Sequence, residues 1–153
     1  MDDRLRALAG KLAGLVGDRT LAVAESCTAG NLAAALASGG HAERWFCGSV
    51  VAYQDEVKRS LLDVRAESTV SPDAAEQMAL GVRRLFSADL AAATTGVLGD
   101  EPVDGVEPST VVIATVVGDD RRITEHDLVD DPDHAVTQAT ERALQQLIDH
   151  VSG

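Results

Sequence analysis

Leu21-Ala22-Val23-Ala24-Glu25-Ser26-Cys27-Thr28-Ala29-Gly30 decides the fold. Leu21 to Ala24 is a continuous apolar run, the pattern of a buried strand. The polar turn Glu25-Ser26-Cys27-Thr28 breaks it, and the alanine-rich stretch from Ala29 to Ser38 reads as a helix. A hydroxyl and a thiol therefore stand at the carboxyl end of a strand and the amino end of a helix. Unpaired backbone N–H groups and the positive end of the helix dipole gather at such a turn. An anion, a phosphate or a developing oxyanion is expected to be welcome there.

Before this stretch, Leu5, Leu8, Leu12, Leu15 and Val16 recur at helical spacing, which predicts an amphipathic helix over residues 2–17 ended by Gly17-Asp18. After it, the helix runs to Gly39-Gly40, and His41 to Phe46 reads as a loop or short turn. Gly48 to Tyr53 is a second strand, and a short helix starts near Asp55, a plausible N-cap. Ser71-Pro72 places a cap before a proline at the first helical position, opening a helix to about Phe86. Leu90 to Thr94 is a third strand, ending in Thr94-Thr95-Gly96, and Val97 to Pro108 is a loop. Thr110 to Val117 and Arg122 to Val129 form a hairpin about Gly118-Asp119-Asp120, and Asp133 to His150 is the last helix. Alternating strands and helices predict an α/β fold, a mostly parallel sheet covered on both faces, with one antiparallel strand from the hairpin. Sites in such folds lie beyond the carboxyl ends of the strands, where Ser26, Tyr53 and Thr94-Thr95-Gly96 all fall.

The length of 153 residues suits one domain over the whole chain, 1–153. No run of eighteen apolar residues occurs, and the mixed charges of Met1-Asp2-Asp3-Arg4 do not resemble a secretory leader, so a cytoplasmic chain with no membrane partner is expected. Cys27 and Cys47 are too few for a disulfide framework and have no zinc spacing; no metal is expected. A net charge of −12 disfavours nucleic acid. The acids are spread along the chain, and Lys11 and Lys58 are the only lysines. Such chains suit a salt-rich cytoplasm, where self-repulsion is screened, and a halophilic source is expected.

By position alone Ser26 reads more simply as a helix cap than as a nucleophile, although Thr28 is available for capping. Lys58 shifts this balance. Arginine has taken nearly every other basic position, and it stays protonated, whereas a partly buried lysine can lose its proton and act as a base. Ser–Lys pairs are a known form of nucleophile and base. Tyr53, the only tyrosine, either assists them through its phenol or is an anchored strand-end aromatic. Cys27 also sits at the helix start, where thiol pKa values fall, but lacks a well-placed histidine and ranks below Ser26. Glu25, Asp55 and Glu56 read as a strand-end acid, a cap and a first-turn acid.

Ala24-Glu25-Ser26-Cys27-Thr28-Ala29-Gly30 resembles the A-E-S-C-T-G-G signature of the CinA C-terminal-domain family, the nicotinamide-nucleotide amidases. Trp45-Phe46 and Gly48 to Lys58 match its W-F…G-x-V-x-Y-x-N-x-x-K stretch. Leu62-Asp63-Val64, Val70-Ser71 with Ala75, Met78 and Ala79, and Thr95-Gly96-Val97-Leu98-Gly99 follow its later motifs in order. The resemblance implies a three-layer α/β/α sandwich and a homodimer or higher homo-oligomer. The family's domain often follows another in a longer protein, whereas here, at 153 residues, it is expected to stand alone. The resemblance implies hydrolysis of nicotinamide mononucleotide to nicotinate mononucleotide and ammonia, a step of pyridine nucleotide salvage, without a cofactor. Ser26 would be the nucleophile, Lys58 the base and Tyr53 the assistant. Substrate contacts would come from Glu25, Cys27, Thr28, Ala29 and Gly30 and from the Thr95-Gly96 loop. The chain departs from the family at Ala29, where the signature has glycine. It departs again over Asp100 to Pro108, where acids replace glycines and Glu107 replaces a lysine. An amidase for another small amide, or a nucleotide- or partner-binding module without activity, are the alternative expectations.

Overall fold

The computed structural model describes residues 1–128 and 131–153. The chain forms α1 (Asp3–Ala13), β1 (Leu21–Glu25), α2 (Asn31–Ala37), α3 (Ala42–Trp45), β2 (Phe46–Val51) and α4 (Asp55–Leu62). It continues through α5 (Pro72–Phe86), β3 (Leu90–Val97), β4 (Thr110–Val117), β5 (Asp120–Asp127) and α6 (Pro132–Ser152). The strands make one sheet in the order β2-β1-β3-β4-β5. β1 pairs in parallel with β2 and β3, and β4 runs antiparallel to both β3 and β5. The sheet is mixed, as expected. Its antiparallel share is larger than one hairpin pairing, because the reversed strand β4 lies between two neighbours.

The period-two alternation of each strand sorts its side chains into two cores. Leu21, Val23, Leu90, Ala92, Val111 and Ile113 pack under α1, α2 and α6. Ala22, Ala24, Ala91, Ala93, Val112 and Ala114 pack under α5. Each fully buried leucine or valine contributes about 1.5–3 kcal/mol. The alanines on the second face let α5 lie close. α5 also approaches the end of α4, where a Cβ on Gly81 would stand 2.2 Å from the Leu62 carbonyl oxygen.

Local cap chemistry gave the start of α5 correctly: Ser71 Oγ accepts from the Ala74 N–H at 3.1 Å, with Pro72 in the first turn. Elsewhere boundaries move. α1 stops at Ala13, and Val16 is buried after the helix has ended, so its apolar spacing reflected packing rather than helix. α2 begins at Asn31, because Ala29 and Gly30 both hold left-handed backbone, φ 47° and 95°. The His41 to Phe46 loop contains α3, and β2 begins at Phe46, so the strand ends at Val51 and leaves Tyr53 beyond it. Asp55 is the first residue of α4 rather than its cap; Gln54 holds that position without a side-chain bond. β5 begins at Asp120, and its expected end at Val129 lies outside the described residues.

Candidate active site

β1 and β2 finish side by side, with Glu25 facing Val51. β3, level with them at Thr94, runs on along β4 to Val97, so that Thr94-Thr95-Gly96 lies within the strand rather than at its expected end. The turn after β1 is tied down at once: the Ser26 N–H donates to the Thr94 carbonyl at 3.0 Å, and the Ala29 N–H donates to the Ser26 carbonyl at 3.1 Å. Beyond these ends opens a cavity of about 500 Å³. Ser26, Cys27, Ala29, Tyr53, Lys58 and Gly96 line it. Asp55, Thr69, Glu101 and Val136 also line it. Of the residues that the sequence offered as substrate contacts, Glu25, Thr28, Gly30 and Thr95 are not in its wall.

Glu25 has a different task. Its carboxylate is fully buried and accepts from Thr28 Oγ1 at 2.7 Å, Ser49 Oγ at 3.0 Å and the N–H groups of Gly30, Leu32 and Ala33 at 3.2, 2.8 and 3.1 Å. It thus satisfies the start of α2 from outside the helix. The expected anion-binding N–H groups are therefore already engaged by the protein's own carboxylate. Neither Ser26 nor Thr28 is the helix cap; that position is Gly30, which has no side-chain bond. Thr28 is buried between Glu25 and Thr94 Oγ1, 2.8 Å away. Thr95 is likewise buried and donates to the Thr69 carbonyl at 2.7 Å.

Lys58 is 3% exposed, whereas Lys11, the other lysine, lies on the surface. Burial lowers the Lys58 pKa below the ordinary lysine value, against the opposing pull of the Asp55 carboxylate. Asp55 Oδ1 stands 3.7 Å from Lys58 Nζ, longer than a hydrogen bond, and accepts from Thr69 Oγ1 at 2.7 Å. Thr69 thereby joins the start of α4 to β3 through its hydroxyl and its carbonyl.

Tyr53 is 71% exposed, and among the described residues its hydroxyl has no hydrogen-bond partner, so the anchored reading fails; it stands at the cavity mouth. Cys27 corrects another expectation. Burial pushes its thiol up to about 12, outweighing the favourable backbone N–H and the Lys58 charge. The helix start that was to lower it lies farther along the chain and is neutralised by Glu25. Thr69, Glu101 and Val136 were missed because they come from separate segments with no local motif. Among the described residues no group of His, Cys, Asp and Glu could hold a metal ion, and no helix is long and apolar enough to cross a membrane.

Fold and cavity define an α/β protein with a site of small-molecule size beyond the carboxyl ends of its parallel strands. The chain belongs to the CinA C-terminal domain family, whose profile matches residues 6–151. It is 36% identical over 138 residues to a CinA-like protein of Synechococcus, covering 77% of this chain and 33% of that one. It is 41% identical over 118 residues to a CinA-like protein of Mycobacterium tuberculosis, covering 74% and 27%. The chain thus spans about a third of the length of the curated relatives it matches. Crystal structures of a CinA superfamily protein from Klebsiella pneumoniae (31% identity, TM-score 0.90, 97% of this chain and 98% of that one) and of one from Escherichia coli (27%, 0.92, 98% and 92%) share its fold.

Proposed function

We propose that this chain is an amidohydrolase of serine–lysine type, acting on a linear carboxamide; the resemblance implies nicotinamide mononucleotide. The observation that carries this reading is the buried, desolvated Lys58 in the same cavity as Ser26. Lys58 Nζ, uncharged, takes the proton of Ser26 Oγ as the oxygen bonds to the amide carbon. The tetrahedral intermediate returns its electron pair to the carbonyl, the C–N bond breaks, and the Lys58 ammonium gives its proton to the departing ammonia. Water, deprotonated by the same amine, then cleaves the acyl-serine to carboxylic acid and free Ser26. Cys27, which lines the cavity, does not give its N–H to Glu25, and that group can serve the oxyanion. Tyr53, in the cavity wall, assists through its phenol. Ammonia release from nicotinamide mononucleotide by purified protein, with the product acid identified by mass spectrometry, tests the reading.

Only the uncharged amine accepts a proton, so kcat/KM is expected to rise with pH to a midpoint below that of an ordinary lysine. Asp55 favours the ammonium. Asp55→Asn keeps an oxygen for Thr69 and removes the charge. It is expected to move the midpoint to lower pH and to raise kcat/KM at pH 7 severalfold. A pH–rate profile that does not move would remove Lys58 from the base role. The same ion pair favours a second reading, a binding module whose lysine stays charged; ligand binding by calorimetry without ammonia release is its signature.

A homo-oligomer, a cytoplasmic setting and a halophilic source belong to the same proposal. The net charge of −12 supports the last. Unfolding is expected at low salt and refolding in molar potassium chloride, read by circular dichroism; full stability without added salt would exclude it.

A further inference from the structure

Two devices commonly hold a phosphate: a guanidinium or ammonium, and a helix start with free N–H groups. At this cavity both are taken. The Gly30, Leu32 and Ala33 N–H groups are bound by Glu25. Lys58 is the only lysine or arginine among the described lining residues, and as the proposed base it must be uncharged when substrate is bound. Two carboxylates remain in the wall, Asp55 beside Lys58 and Glu101 on the loop after β3. Glu101 is exposed, so its carboxylate faces solvent and ligand together. With Lys58 neutral, the cavity wall is negative. A phosphate dianion is repelled there, and a cationic ring is attracted.

We propose that this site takes a cationic pyridinium carboxamide without a phosphate in preference to the phosphorylated nucleotide, and that Glu101 sets this preference. The inference rests on the amidohydrolase reading, which supplies its chemistry and the uncharged Lys58; Asp55 and Glu101 supply the negative charge. The reaction is unchanged: the carboxamide and water give carboxylate and ammonium, and the ring is neither oxidised nor reduced.

The probes are nicotinamide mononucleotide and the nucleoside left when its phosphate is removed. Both are measured at one salt concentration at which the protein is folded by circular dichroism. The nucleoside is expected to show a kcat/KM about tenfold higher, with the difference in KM. Glu101→Gln is expected to shrink the ratio and Glu101→Lys to reverse it. Calorimetry on Ser26→Ala protein reads the same preference without turnover, and the nucleoside is expected to bind about tenfold tighter. Equal or tighter binding of the nucleotide to that protein, or a ratio indifferent to Glu101→Lys, overturns the inference. Failure of both ligands to bind overturns it together with the hydrolase reading. Binding with the expected ratio but no ammonia from wild-type protein overturns only the hydrolase reading.

Discussion

Ammonia release is expected to fall by about a thousandfold or more in Lys58→Ala protein, and by at least as much in Ser26→Ala. Lys58→Arg is expected to be as inactive as Lys58→Ala. It preserves positive charge and length, but a guanidinium stays protonated and cannot accept the serine proton. The arginine variant separates two roles for Lys58. If the residue only attracted an anion or filled space, arginine would restore much of the rate. Lys58 is 3% exposed, so each variant needs a circular dichroism spectrum and an unfolding curve to show that it is folded. The double variant is expected to lose little more than either single one, because nucleophile and base act as a unit. Losses that multiply would show that the two residues work independently, and the proposed pair would not stand.

Glu25→Ala is expected to cost about 3–5 kcal/mol of stability, because removal of a buried charge leaves its donors unpaired. Those donors are two hydroxyls, Thr28 and Ser49, and the N–H groups of Gly30, Leu32 and Ala33. Thr28 and Leu32 are fully buried, so water does not replace the carboxylate there; Thr28 keeps Thr94 Oγ1 as its other partner, and the Leu32 N–H is left unpaired. For a chain of this size such a loss lowers Tm by roughly 10 °C or more. Glu25→Gln keeps the shape, but its NH₂ turns donor toward donor, so about half of the loss is expected to remain. Denaturant unfolding of the three proteins measures the series. A Glu25→Ala protein within about 1 kcal/mol of wild type would mean that the turn does not depend on this residue.

Glu25 also marks where the sequence could be read and where it could not. The strand ending at Glu25 and the helix opening at Ser71-Pro72 were legible because their signals are local: an apolar run in one case, a cap and a proline in the other. β4 was legible at both ends for the same reason, a β-branched run stopped by Gly118. The start of α2 was not. Its cap is a carboxylate six residues before Asn31 on the preceding strand, and a window centred on the alanines sees only helix propensity. The role proposed for Lys58 was suggested by the scarcity of lysine, yet the tie between its neighbour Asp55 and Thr69 is announced by no spacing. Likewise Glu101 could be noticed as an acid in a loop, but its place in the cavity wall follows from the way β3 carries that loop over the strand ends.

Thr69 holds Asp55 with its hydroxyl and Thr95 with its carbonyl, closing a seam along one side of the buried amine. A carboxylate held near an amine favours its ammonium form. A threonine that need never meet the reacting carbon therefore bears on the protonation of Lys58 through the carboxylate it holds. Loosening that seam is expected to shift the titration of the proposed base while serine and lysine both stay in place.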